Sequence, residues 1–456
     1  MSASAPLDLL VVGAGLTGLS TAWRARRAGR SVLLLEAAPR VGGVVRTDRV
    51  GAYRVERAAG SFPSTAAALL ELHAGLARAP ALHKPGAGAN AQYLATRHGL
   101  VALPRTPPAL FASPLLTAGQ KLRLFAELTR GPRRSGPPES LYAFVRRRFG
   151  TGVAESFLKP FTLGVYGTAP EDLGAADAFP MLTTAERASG GVFRHLGKGK
   201  PGAEKRSLRS RLARRKPGPG RLKREIWTFE GGMEGFPRAI AEDLGDLVRL
   251  STSVAALRRD GDAVVARTAS GEEMRALEVV LSTPAPEQAR LVAGFSATAA
   301  GLLAAVAYAP MVVTSVGLPP ASASLVPRAF GFLRSPGAPL RILGASFPSN
   351  LDPAVAPEGH ALANVFVGGG RDPGAVALSD DEVRAIVVGD LSAALGGPIV
   401  PDLVTIHRWA RAIPVLAIGH RARMAEAQRL LAPFGVRLSG SHLTGVGVHA
   451  CCAPLP

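Results

Sequence analysis

Cysteine is nearly absent from this chain. Two residues of 456, adjacent at Cys451 and Cys452, exclude a disulfide framework and leave no cysteine pair spaced to hold zinc, so no metal site is expected. That usage fits a reducing cytoplasm. Residues 1–8 lack the basic start and long apolar core of a secretion signal, so no export is expected. Charge is missing altogether between Leu291 and Pro327, a length that would suit a membrane span. Its Ala, Gly and Ser content argues instead for buried elements. Pro310 is expected to divide it into a small-residue helix ending at Ala309 and a strand from Met311 to Leu318.

Acidic residues are scarce as well: 34 Asp and Glu stand against 54 Lys and Arg, a net charge of +20. That excess would suggest nucleic acid or an anionic surface. It is concentrated in one place. From Arg194 to Arg224 there are thirteen Lys or Arg and a single acid, Glu204, giving +12 of the +20. The segment has few aromatic residues to stack on bases, so nucleic acid is excluded as a partner, and a solvated or membrane-surface loop is expected.

What is present begins with an apolar run, Leu9-Leu10-Val11-Val12, leading into Gly13-Ala14-Gly15-Leu16-Thr17-Gly18. A buried parallel strand would end in a tight turn at Gly13. Gly15 would let backbone approach a pyrophosphate at a helix N-terminus, and Gly18 would let helix and strand pack closely. A second strand, Val32-Leu33-Leu34-Leu35, ends at Glu36, eighteen residues after Gly18, where a carboxylate can hold a ribose hydroxyl. The unit predicts a bound dinucleotide.

Beyond Glu36 the stretch Ala37-Ala38-Pro39-Arg40-Val41-Gly42-Gly43 resembles the second fingerprint of the flavin-containing amine oxidase superfamily. There an Arg and paired glycines line the pyrophosphate and ribityl chain, which favours FAD over a nicotinamide cofactor. The rest of the chain is similar, in order, to the protoporphyrinogen oxidase branch of that superfamily. Gly164-Val165-Tyr166-Gly167 with Ala178-Phe179-Pro180-Met181-Leu182 carries one part of the likeness. Tyr308-Ala309-Pro310, Phe330-Gly331-Phe332-Leu333, Val367-Gly368-Gly369-Gly370 and Trp409 with Ile413-Pro414 and Gly419-His420 carry the rest.

The resemblance implies an α/β flavoprotein fold of the p-hydroxybenzoate hydroxylase type. It combines a Rossmann-like FAD-binding domain, a mixed α+β substrate domain and a helical insertion. By position, FAD binding would fall to residues 1–80, 225–290 and 411–456. The substrate domain would comprise the hairpin region 81–113 and residues 291–410, with a helical, membrane-surface insertion at 114–224. Ala59, Gly60 and Ser61 would lie beside the flavin, Val254 would touch the adenosine through its backbone, Trp409 would pack near the ring, and Val446, Gly447 and Val448 would close over it. Gln92, Arg97, Gly164, Phe330 and Leu333 would line the tetrapyrrole site.

The activity so implied is oxidation of protoporphyrinogen IX, with dioxygen as acceptor and hydrogen peroxide as product. Coproporphyrinogen III is the alternative substrate. Because the cofactor carries the redox chemistry, no protein nucleophile is required. A cytoplasmic protein peripheral to the inner membrane face is expected, with a homodimer left open. The chain departs from the family pattern at three places: Gln92 replaces an Arg expected to reach a propionate, Ala58-Ala59 replaces a Gly-Pro, and His449-Ala450-Cys451-Cys452-Ala453-Pro454-Leu455-Pro456 ends the sequence where the resemblance implies a helix facing the FAD. These departures keep two other readings open, another FAD amine oxidase or desaturase and an inactive porphyrin or FAD carrier.

Overall fold

Runs of Val and Leu without intervening charge are suited to strands buried on both faces. In the computed structural model, which describes residues 5–86, 89, 91–133, 136–197 and 225–455, they form the centre of a seven-stranded sheet. Leu7–Val12 lies between Val32–Leu35 and Glu273–Leu281, parallel to both. Val248–Arg249 extends one edge in parallel, and Val436–Leu438 pairs in parallel with the end of Glu273–Leu281. The antiparallel pair Val254–Asp260 and Ala263–Thr268 completes the sheet. The helix Leu16–Arg27 covers one face, burying Leu16, Leu19 and Trp23 against Phe229, Phe236 and Ile240.

A second seven-stranded sheet is built mostly from the later half of the chain. Its order is Leu403–Pro414, Tyr308–Leu318, Ala361–Gly368, Gly344–Ser346, Gly331–Arg334, Gln92–Thr96 and Gly99–Ala102. Only Gly331–Arg334 and Gln92–Thr96 pair in parallel. Pro310 does not divide a helix from a strand. It sits inside Tyr308–Leu318, where the register with Leu403–Pro414 shifts between Ala309 and Met311. A bulge tolerates a residue with no N–H to donate. The helix expected before it is two helices, Ala285–Val292 and Ala297–Ala304. Likewise, residues 250–253 form a turn, with Ser251 at φ 50°, and the strand begins only at Val254.

Helices fill the described part of residues 114–197, among them Leu141–Phe149, Lys159–Tyr166 and Pro180–Ser189. At their centre Arg148 and Glu127, both with side chains 0% exposed, form an ion pair. Arg148 also donates to the Gly131 and Gly190 carbonyls, and Glu127 accepts from the Val192 and Phe193 amides. Nearly all of the basic segment, residues 198–224, lies outside the described residues, as do Ala87 and Gly88 of the linker expected after residue 80. Among the described residues no helix is long and apolar enough to cross a membrane.

Removing one partner of a buried pair leaves the other charge poorly compensated, here with only Glu186 among the described carboxylates left beside Arg148, at 3.4 Å. Glu127→Ala is therefore expected to destabilise the chain by about 3–5 kcal/mol, read by urea denaturation. An unchanged midpoint would show that Glu186 and the carbonyls satisfy Arg148 without Glu127.

Candidate functional site

The glycine turn is set by backbone contacts. Gly13 has φ 103°, and its N–H donates to the Leu35 carbonyl at 2.8 Å. A Cβ on Gly18 would collide with the Gly13 carbonyl oxygen, so the helix rests directly on the turn. A Cβ on Gly15, by contrast, would meet nothing within 4 Å. Gly15 is extended at the N-cap of Leu16–Arg27, and no side chain caps that helix. This is an open cradle at a helix N-terminus, suited to a pyrophosphate. Gly42, with φ 99°, donates to the Ala14 carbonyl at 2.8 Å and bridges Gly15, and Gly43 follows at φ 58°.

Glu36 spans the turn, accepting from the Ala14 amide at 2.6 Å and the Ala38 amide at 2.9 Å. Ala37 is exposed beside it. The Glu36 carbonyl accepts from Thr252, which brings the segment leading to Val254 against the acid. Val254 itself is buried, and its carbonyl accepts from Arg290 at 3.1 Å. Arg40 bends back to donate to the Val41 and Gly43 carbonyls. Burial, followed by the charge of Arg46, holds its guanidinium below its usual pKa.

The last expected cofactor residues meet the same wall. Val446 and Gly447 precede a single helical turn, Val448–Cys451. Val448 and Cys452 are buried in the core that holds Leu16 and Leu19. The Cys451 and Cys452 carbonyls accept from Ser20 and Arg24 of the first helix. The turn is therefore anchored to the dinucleotide unit.

Both halves of the molecule meet along Tyr53–Glu56 and the residues that follow it. The Tyr53 hydroxyl donates to Asp402 at 2.8 Å, and Arg54 forms a buried pair with Asp352. The Trp409 indole N–H donates to the Arg57 carbonyl at 2.9 Å, placing Trp409 next to the segment that continues into Ala59, Gly60 and Ser61. Arg46 and Arg57 share one carboxylate, that of Asp48, so this group of three keeps one unmatched cation.

The sheet face that meets the seam is apolar at one end. Met311 pairs in register with Trp409, and Val313 with His407. Met311, Val313 and Leu343 form a cluster with Leu163, Phe366 and Ile413 packed against it. Burial, followed by the charge of Arg57, holds His407 below the usual imidazole range. Gly164 lies on the helix Lys159–Tyr166, and a Cβ there would collide with Leu333. Gly167 caps that helix at φ 61°, and its carbonyl accepts from Gly370 at 2.6 Å, locking helix to sheet. Gly164, Leu333 and Trp409 are thus joined through one wall.

Three other expected substrate residues are placed differently. Gln92 is exposed at the start of its strand, in register with Gly331. Arg97 is not brought to the wall, because it sits exposed in the turn at the far end of Gln92–Thr96, donating to His98. Phe330 is half-buried just before its strand, its backbone bonded to Ala91 and Phe347. His420 is buried beside the chain end: its Nε2 meets the His442 carbonyl at 2.6 Å. Met311, Val313, His407 and Phe366 went unpredicted. The alternation Thr405, His407, Trp409 was the signal that could have found part of this face.

With that geometry in view, the comparisons decide the family. The chain matches the flavin containing amine oxidoreductase family over residues 16–452. It belongs to that family. Its cofactor is accordingly FAD, and the open cradle at Gly15 fits the pyrophosphate. The chain is similar to protoporphyrinogen oxidase 1, chloroplastic, of Spinacia oleracea, with 27% identity over 98% of this chain and 82% of that one. It is also similar to coproporphyrinogen III oxidase of Propionibacterium freudenreichii, with 28% identity over 97% and 88%. A crystal structure from Exiguobacterium sp. 255-15 shares the fold at a TM-score of 0.80 and 22% identity, covering 99% of this chain and 97% of that one. A putrescine oxidase shares it at 0.69 and 15% identity, over 98% and 96%.

Two glycine substitutions separate folding from cofactor binding. Gly18→Ala forces helix from strand and is expected to cost about 1–3 kcal/mol or more in stability. Gly15→Ala should leave the stability of the flavin-free protein unchanged while weakening FAD by about tenfold or more, roughly 1.4 kcal/mol. Thermal denaturation and flavin fluorescence titration read the two effects. Equal FAD affinity in Gly15→Ala and wild type would remove the cradle assignment.

Proposed function

We propose that this flavoprotein oxidises a porphyrinogen, with protoporphyrinogen IX as the first substrate to test. The observation that carries the reading is the apolar wall joining Gly164, Leu333, Met311 and Trp409 beside the flavin-binding seam. A flat, largely apolar surface suits a tetrapyrrole ring. A diamine would call for carboxylates instead, and the positions along this end of the face are apolar apart from His407. Coproporphyrinogen III is the second reading, favoured by the similarity to the Propionibacterium enzyme.

When bound, FAD supplies the two-electron acceptor, and three rounds with dioxygen remove six electrons and form hydrogen peroxide. The protein's part is to bind and orient. Leu333 and Gly164 set the depth at which the ring lies, since any side chain at 164 would displace Leu333. The Arg46–Asp48–Arg57 group, with two cations on one acid, offers positive charge for propionates. That group would take the part left vacant by Gln92. His407, held neutral, adds no competing charge to the wall.

The helices between residues 107 and 189 also carry exposed apolar side chains, Phe111 at 57%, Leu122 at 75% and Met181 at 70%. Together with the basic run that follows at 198–224 in the sequence, they support peripheral attachment to an anionic membrane. Sedimentation with phosphatidylserine vesicles at low salt, reversed at high salt, is the expected result. No binding at low salt would remove this attachment.

The test of function is porphyrin fluorescence after adding each porphyrinogen, under oxygen, to the FAD-loaded chain. Appearance above the spontaneous rate is expected, and the faster of the two names the substrate. Leu333→Ala should lower kcat/KM by about tenfold, roughly 1.4 kcal/mol of transition-state binding, while leaving flavin content unchanged. Flavin-loaded protein with no rate above background for either substrate would overturn the proposal.

A further inference from the structure

Behind the Gly60–Ser61 segment lies a buried carboxyl that the reaction as derived does not use. Glu56 is 7% exposed at the end of Tyr53–Glu56, and a Cβ on Gly60 would stand 3.5 Å from its Cγ. Its Oε1 accepts from the Met233 amide at 2.9 Å and from the Thr47 hydroxyl at 3.0 Å. Beyond it is a small void of about 20 Å³ bordered by Arg54, Thr228, Asp352 and Asn364. That is enough room for one water, and a water there finds polar partners on several sides. One of those partners is otherwise unmet: Arg54, 8% exposed, gives its NH2 group to Asp352, but its buried Nε has no hydrogen-bond partner among the described residues.

The void also terminates a polar row on the second sheet. Thr405, Ser315, Asn364 and Ser346 are register partners across four strands. The Ser315 hydroxyl donates to the Asn364 carbonyl oxygen at 2.8 Å, and the buried Thr405 hydroxyl has no partner among the described residues. Buried polar groups left unpaired in this way are costly unless water satisfies them.

We propose that Glu56 is a positioning residue for the flavin: joined by one water in this void to Arg54 and Asn364, its carboxyl takes up and releases a proton directly behind Gly60–Ser61. The inference rests on the assignment of that segment to the flavin. The exchange is a plain protonation. A carboxylate oxygen gains H⁺ from solvent water when negative charge is added across Gly60, and returns it when the charge is removed.

The charges facing Glu56 are consistent with such exchange. Burial pushes its carboxyl up to about 7, opposed by the Met233 amide, the Thr47 hydroxyl and the charge of Arg54, while Glu234 adds to the rise. Arg238 pairs with Glu234, and Asp352 offsets Arg54. Glu56 is therefore protonated below about pH 7 and charged above it. A group raised in this way favours the folded state most at low pH and loses that contribution as pH rises through 7.

The test is the reduction potential of the bound flavin as a function of pH, measured on the full FAD-loaded chain. In wild type the potential should fall more steeply around pH 7 than on either side, the steep interval should vanish in Glu56→Gln, and in Thr47→Val, which loses a donor to the carboxylate, it should move to higher pH. Curves of identical shape in wild type and Glu56→Gln would overturn the proposal. Should Glu56→Gln not fold, infrared difference spectra of the unmodified protein, reduced minus oxidised, decide the point. A carboxylic-acid band gained on reduction and shifted in Thr47→Val supports it, and no such band overturns it. Neither readout involves a porphyrinogen, so a failed turnover assay and a failed proton exchange are separate results.

Discussion

Backbone lying directly on backbone at Gly13 and Gly18 is the constraint from which the rest of the structure follows. The Gly13 carbonyl occupies the space where a Cβ of residue 18 would stand, so the first helix starts hard against the end of the first strand. That contact aims the helix N-terminus, uncapped by any side chain, at the space in front of Gly15. Gly42 and Gly43 close on the same turn from the other side. Amides of the turn and the partial positive charge of the helix end then converge on one region, which is what a pyrophosphate requires.

The seam between the halves is fixed by few residues. Tyr53, Arg54 and the Arg57 carbonyl, all from one short stretch, engage Asp402, Asp352 and Trp409. The sheet that carries the glycine turn and the sheet that carries the apolar wall are therefore held in one orientation by neighbouring contacts. Ser20 and Arg24 anchor the terminal turn Val448–Cys451 to the same first helix, so three distant parts of the sequence share one reference frame.

Much of the cofactor half could be read from the residues. Strand, glycine turn, helix and terminal acid are local features, each dictated by its own neighbours, and Glu36 does lie across the turn. The apolar wall was only partly legible, because its members come from four strands, a helix and Leu343 just ahead of a fifth strand. Leu333 meets Gly164 and Trp409 meets Arg57 only after folding. Arg97 gave no local sign of its place either: the turn after Gln92–Thr96 leaves it exposed, donating to His98. Pro310 misled because a proline normally interrupts a strand, whereas here a register shift absorbs it. Glu56 gave no signal at all, since a carboxyl beside a Gly-rich turn looks like any strand end until the second sheet buries it.

The account stands on the pyrophosphate being held by the glycine turn. Its most direct test is fluorescence titration of the flavin-free chain with FAD and with riboflavin, which carries the same ring without the phosphates. FAD binding tighter by about 100-fold or more, roughly 2.7 kcal/mol, is the predicted result. Equal affinity for the two would contradict it, because the ring alone would then account for binding and the turn would have no part in it.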